Sequence, residues 1–98
     1  MNQVEIILGK LKEMLLRLGF KETVITNAYR SEINYVYKNL YCIPICIEKL
    51  GFIMEYAGSY EDAAKYWHDD GDAFPLGMGE EAILAGIEHE VRRELMDQ

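Results

Sequence analysis

The residues best equipped for chemistry stand together at His68-Asp69-Asp70-Gly71-Asp72-Ala73-Phe74-Pro75, where three carboxylates fall within four positions. Carboxylates at that density can hold Ca²⁺ or Mg²⁺, or act as an acid–base pair such as Asp69 and Asp72. The spacing speaks against the EF-hand version of that chemistry. With Gly71 placed at the invariant glycine of such a loop, Tyr66 falls at the first ligand position and Gly77 at the twelfth, and neither supplies a carboxylate. Asp and Gly are also turn formers, and Phe74-Pro75 would fold back onto the body. The segment therefore reads as a solvated turn or as an acidic contact loop, with Trp67 and Phe74 as flanking aromatic anchors.

Other reactive types are scattered. His68 and His89 are 21 positions apart and share no metal-ligand spacing. Gly77-Met78-Gly79-Glu80 places an acid where a phosphate loop would need to receive an anion. No Ser, Thr or Cys nucleophile has a base near it in sequence. Cys42 and Cys46 sit four apart in a predicted strand, about 13 Å at ~3.3 Å per residue, too far for a disulfide. Two buried thiols are the expectation, with no catalytic residues, no metal and no cofactor. Tyr29, Tyr35, Tyr37 and Tyr41 gather in the middle of the chain. Tyr35 and Tyr37 share one face if they lie on a strand, where they either pack or meet a partner. The candidate contact residues are thus Trp67, Asp69, Asp70, Asp72, Phe74, Tyr35 and Tyr37.

Charge sharpens this list. Residues 1–54 hold five acids and seven Lys/Arg, whereas residues 55–98 hold twelve acids and three Lys/Arg, and the whole chain carries −7. One half is therefore a negative electrostatic source, which repels nucleic acid and membrane headgroups and attracts basic proteins. Acidity kept only for solubility would look the same. The 98-residue length is that of one domain, and half of the residues are hydrophobic, which argues against disorder. No apolar run approaches a membrane span, and the start Met1-Asn2-Gln3-Val4-Glu5 lacks a signal peptide's basic region, so a cytoplasmic location is expected.

The elements that must carry these residues follow from periodicity. Val4, Ile7, Leu8, Leu11, Leu15 and Leu18 mark one helical face from about Gln3 to Leu18, and Gly19 supplies its left-handed stop. Thr23–Thr26 reads as a strand. Ile33–Tyr37 reads as another, although Ser31 could instead cap a short helix through Leu40. Tyr41, Ile43, Ile45 and Ile47 alternate with Cys42, Pro44 and Cys46, the period of a strand. Pro44 cannot donate a ladder bond, which places it at an edge or a bulge. Lys49-Leu50-Gly51 is predicted as a hairpin loop, with Cys46 opposite Met54 and Ile47 opposite Ile53. Ser59-x-x-Asp62 opens a short helix through about Trp67, and Ile83, Leu84, Ile87, Val91 and Leu95 stripe a last helix from about Gly79 or Glu80 to Met96. The predicted fold is α+β: an antiparallel sheet of three to four strands with the helices on one face. Ile7, Leu11, Leu15, Ile45, Ile47, Ile53, Ile83, Ile87 and Val91 are its predicted core.

The run Phe52-Ile-Met-Glu-Tyr-Ala-Gly-Ser-Tyr-Glu-Asp-Ala-Ala, then Asp69-Asp-Gly-Asp-Ala-Phe-Pro-Leu and Gly79-Glu-Glu-Ala-Ile-Leu, resembles small immunity proteins of bacterial polymorphic-toxin systems. The resemblance covers residues 52–95 and rests on short motifs. It implies a protein that binds and blocks a cognate toxin domain, often a nuclease, with no chemistry of its own. Two other expectations stand beside it. One is a phage- or plasmid-encoded nucleic-acid mimic that inhibits a DNA-binding or defence protein. The other is a small hydrolase or metal-dependent enzyme using Asp69–Asp72. The partner expected under the first two is a basic protein, not nucleic acid or membrane, and the chain itself is expected to be a monomer or homodimer.

Overall fold

The computed structural model describes residues 2–98. The first helix, α1 (Gln3–Arg17), begins at Asn2, whose side chain accepts the Glu5 N–H at 2.9 Å. It ends as its sequence demands. Gly19 takes φ +103°, and the Phe20 N–H returns to the Leu15 carbonyl at 3.0 Å, the long bond of a Schellman cap. Phe20 is thereby tucked into the core.

Five strands follow in a simple meander: β1 (Lys21–Thr26), β2 (Ser31–Tyr37), β3 (Leu40–Ile47), β4 (Gly51–Ala57) and β5 (Asp69–Asp70). Every neighbouring pair is antiparallel. Residues 31–37 are a strand and not a helix. A short helix, α2 (Tyr60–Ala64), separates β4 from β5. A one-turn 3₁₀ segment (Leu76–Met78) precedes the long helix α3 (Glu80–Met96). Among the described residues no helix is long and apolar enough to cross a membrane.

The α+β class holds, but the sheet has five strands where three to four were predicted. The fifth escapes prediction because Asp69-Asp70 lacks β-favouring side chains. It is a strand only because β4 offers it a free edge. The helices are not all on one face, either. Ile7, Leu11, Met14 and Leu15 of α1 and Ile83, Ile87 and Val91 of α3 bury one face, against Tyr35, Leu40, Cys42, Phe52, Met54 and Tyr56. On the opposite face α2 makes a second small core from Ala63 with Ile25 and Ala57.

Pleating explains a further correction. Cys42 lies on the face covered by α1 and α3 and is fully buried, and Cys46, half-buried, packs against the same core; both are free thiols. Ile43, Ile45 and Ile47 therefore point to the other face. Ile45 is half-buried and Ile47 exposed, so neither is a core residue as predicted. Ile7, Leu11, Leu15, Ile53, Ile83, Ile87 and Val91 are buried as expected. The β3–β4 turn is also one step earlier than predicted. Glu48, Lys49 and Leu50 form the loop, and Cys46 pairs with Phe52 and Ile45 with Ile53. Gly51 ends that turn at φ +108°, and a Cβ there would run into the backbone of Phe74 and Pro75.

Pro44 leaves a visible mark. In the β2–β3 ladder Tyr37 faces Leu40 and Tyr35 faces Cys42, and pairing stops there. The next pair to exchange backbone bonds would be Ile33 with Pro44, where Pro44 has no N–H to give. β2 and β3 part at that point, and a cavity of about 270 Å³ opens between Ile33, Tyr35, Ile43 and Pro44. The proline thus sits on an open edge of its strand.

Candidate functional site

The chain from Lys65 to Pro75 carries most of the candidate residues, and its backbone is anchored at almost every step. Lys65 ends α2 and Tyr66 turns the chain at φ +58°. The Tyr66 hydroxyl donates to the Arg30 carbonyl at 2.8 Å, and the Arg30 guanidinium lies 4.1 Å from the Tyr66 ring centre. Trp67 donates its N–H to the Asp62 carbonyl. The His68 Nε2 lies 2.8 Å from Oδ1 of the buried Asn34. Asp69 and Asp70 then pair with Tyr56 and Glu55 of β4.

Past β5, the Gly71 N–H reaches the Met54 carbonyl at 2.9 Å, and Phe74 exchanges two backbone bonds with Phe52 at 2.8 and 2.9 Å. The Phe74 ring closes on Gly86 of α3, where a β-carbon would collide with it. Phe74 is therefore a half-buried plug between β4 and α3 rather than a free anchor.

A buried acid holds the middle of this segment. Glu90 is only 4 % exposed, and its carboxylate accepts the Tyr56 hydroxyl at 2.6 Å and the Asp72 N–H at 2.8 Å. Two donors satisfy an acid group that would otherwise be costly to bury. The hydrogen bond and burial together push the Tyr56 phenol pKa far upward, burial most of all. Gly71 has no room for a side chain, since a β-carbon there would run into Glu90 and the Tyr56 ring. Glu90 was not among the candidate residues. Its signal was present: it stands one position before Val91, on the buried stripe of α3.

The anchored backbone leaves its acids outside. Asp69, Asp70 and Asp72 are exposed. Successive strand residues point to opposite faces, so Asp69 and Asp70 diverge instead of converging on an ion. Among the described residues no group of three or more His, Cys, Asp or Glu is placed to hold a metal. Among the described residues, of the twelve acids beyond position 54 only Glu61, Glu80 and Glu88 form ion pairs, with Lys65, Lys10 and Arg92. The loop acids, with Glu90, Glu94 and Arg93, line a polar cavity of about 420 Å³ beside the C-terminal turn of α3. On the opposite side of the sheet, burial and the neighbouring Asp70 raise the Glu55 pKa. Burial lowers that of His68, against the opposing pull of Glu32.

Trp67 is 64 % exposed, with the Lys65 ammonium 4.6 Å from its ring centre. It remains a surface aromatic beside the acidic loop. The tyrosine pair lies elsewhere, with β3 and β4 between it and β5. Tyr35 is a core residue at 3 % exposure, and its hydroxyl donates to Glu22 at 3.0 Å. Burial and that acid push its pKa up to about 12. Tyr37 is partly exposed and meets Phe20 edge to face at 5.8 Å. The structure thus leaves Trp67, Asp69, Asp70 and Asp72 exposed along one segment, with Asp69 and Asp70 on opposite faces of the sheet, fixes Phe74 between β4 and α3, and removes Tyr35 from any contact surface. Comparison with protein-family models, with characterised proteins and with solved structures finds no match for this chain.

Proposed function

We propose that this is a non-catalytic acidic binding protein: an immunity protein that docks on the basic surface of a cognate toxin domain in the cytoplasm of the producing cell and occludes it. One observation carries the reading. Asp69, Asp70 and Asp72 are exposed, hold no Lys or Arg, and stand on a backbone pinned to β4 and Glu90, next to the exposed Trp67. Pre-ordered acids of this kind lose little conformational freedom on binding and accelerate encounter with a basic partner. An exposed tryptophan beside them is a typical centre of binding energy. The likeness of residues 52–95 to small immunity proteins supports the choice of partner.

The test is association with a basic toxin-like domain, sought first in the product of the adjacent gene and measured across a salt series. Asp69→Lys, Asp70→Lys and Asp72→Lys together slow association and flatten its salt dependence, because steering is screened over ~8 Å at physiological ionic strength. Trp67→Ala instead speeds dissociation, at a cost of about 2 kcal/mol or more. An unchanged on-rate and salt slope in the triple variant would reduce the loop to a solvated rim. Binding to a DNA-binding protein, competed by duplex DNA, would favour the nucleic-acid mimic instead.

A further inference from the structure

The two edges of the sheet are finished differently. At one edge β5 is two residues long, carries Asp69 and Asp70, and is flanked by the bridge to Phe74. Short, charged, interrupted edges resist further pairing. At the other edge β1 runs six residues, Lys21-Glu22-Thr23-Val24-Ile25-Thr26, with no proline or bulge, and pairs on one side only.

The β1 hydrogen-bond phase follows from its hairpin. The Asn27 N–H donates to the Arg30 carbonyl, so Asn27 and Arg30 form a bonded pair. Counting back along the register, Ile25, Thr23 and Lys21 spend their backbone groups on β2. Glu22, Val24 and Thr26 therefore point theirs away from the sheet. Beside this edge lie Val24, 62 % exposed, and its cross-strand neighbour Ile33, 46 % exposed. An open edge and an exposed apolar pair coincide.

We infer that β1 is a self-association edge, on which a second copy of this chain adds its own β1 antiparallel about a two-fold axis at Val24. Only even-numbered residues have free backbone groups, so the symmetric register sets Val24 opposite Val24 of the second copy and Glu22 opposite Thr26. On the other face Lys21 meets Asn27 and Thr23 meets Ile25. No two like charges face one another directly. β1 itself holds one Lys and one Glu, Lys21 and Glu22, so the strand brings no net charge of its own to the contact. The acidic loop at the far edge stays free in such a dimer. The contact is one strand pair with four apolar side chains, smaller than the ~1,200 Å² of a stable interface, so a weak, concentration-dependent dimer is the expected form.

Sedimentation equilibrium of the full chain tests this. Wild type shows a mass rising from monomer to dimer as concentration reaches the millimolar range. Val24→Pro stays monomeric with an unchanged circular dichroism spectrum, since the lost N–H served no bond to β2. Val24→Lys and Val24→Glu each place like charges across the axis and weaken self-association by about tenfold or more. Their mixture restores a dimer, because only in this register does residue 24 face itself. A monomer at every concentration overturns the proposal, as does a dimer indifferent to all three substitutions. A mixture no tighter than its components overturns the register. None of these outcomes depends on the toxin-binding reading.

Discussion

Two segments looked equally suited to meet a partner, the tyrosine strand around Tyr35 and the acidic loop around Asp70, and folding separates them. In β2 the backbone is a regular ladder and alternate side chains go inward, so Tyr35 is spent on the core. Between Lys65 and Pro75 the arrangement is reversed. Backbone groups are consumed by Met54, Phe52, Asp62 and Glu90, and the carboxylates stay exposed, Asp70 beside Glu55. A contact surface needs ordered backbone and unspent side chains together. The second segment keeps Trp67 and its three aspartates exposed, whereas β2 leaves Ile33 and Tyr37 outside and spends Tyr35 on the core.

The largest test of that contrast is on stability. Leu11 and Ile87 are fully buried, so Leu11→Ala or Ile87→Ala costs about 2 to 5 kcal/mol in denaturant unfolding. Trp67→Ala removes only surface area and a Lys65 contact, a cost of less than about 1 kcal/mol. A Trp67 variant as damaging as the Leu11 variant would make Trp67 structural and break the comparison.

Next comes the anchor. Glu90→Ala strands the Tyr56 hydroxyl and the Asp72 N–H, and leaving buried donors unmade costs about 1 to 3 kcal/mol. Amide hydrogen exchange at Asp72 quickens in this variant while that of the α1 core stays slow. Glu90→Gln, which retains a carbonyl acceptor, loses less. Equal exchange at Asp72 in wild type and Glu90→Ala would mean the loop orders itself without Glu90.

How much of this could be read beforehand depends on where the order comes from. Helices α1 and α3 were legible because each carries its own apolar stripe and its own stops, Gly19 above all. The β3–β4 hairpin was legible as an element but not in its facing. A period of two cannot tell which side the helices will cover when Ile and Cys alternate, and α1 and α3 chose the Cys42 side. The acidic loop was legible as chemistry but not as structure, because its order is borrowed from the β4 edge and from Glu90, 18 positions beyond Asp72. Asn34 was missed altogether. A polar residue amid Ile33, Tyr35 and Val36 gives no sign that the fold will bury it.

A smaller effect sharpens the assignment of Tyr35 to the core. Its pKa is raised from the ordinary 10.0 to about 12, by burial first and then by the bond to Glu22. The folded state thus keeps a proton that the unfolded chain gives up, so stability is intact below pH 10 and declines as pH rises towards 12. In Tyr35→Phe that part of the alkaline decline disappears from the melting temperature profile. An identical alkaline slope in both proteins would place the Tyr35 hydroxyl in water, and with it the strand face.

The smallest expected effect concerns the joint between the two segments, where His68 of the loop reaches Asn34 of β2. The ring nitrogen lies 2.8 Å from Asn34 Oδ1, while Asn34 Nδ2 has no partner among the described residues. A cation there would be partly desolvated, and burial is the first cause that lowers the His68 pKa below its usual 6.5. Arg30 lowers it further, whereas Glu32, Asp62 and Asp69 act the other way without reversing it. With a depressed folded pKa, the unfolded chain takes up the proton first as pH falls. His68 therefore contributes its stability above pH 6.5 and loses it as pH drops through the folded value. The melting temperature of wild type should decline between neutral and mildly acidic pH, by a few degrees or less for a domain of this size. His68→Gln keeps a hydrogen-bonding side chain without the titration and flattens that limb. Glu55 pulls in the opposite sense, since its raised pKa means stability is lost as pH rises through it, so Glu55→Gln in the same series should steepen the wild-type limb. Parallel curves for wild type and His68→Gln would mean that His68 charges freely in place, and that the loop and β2 are not coupled through Asn34.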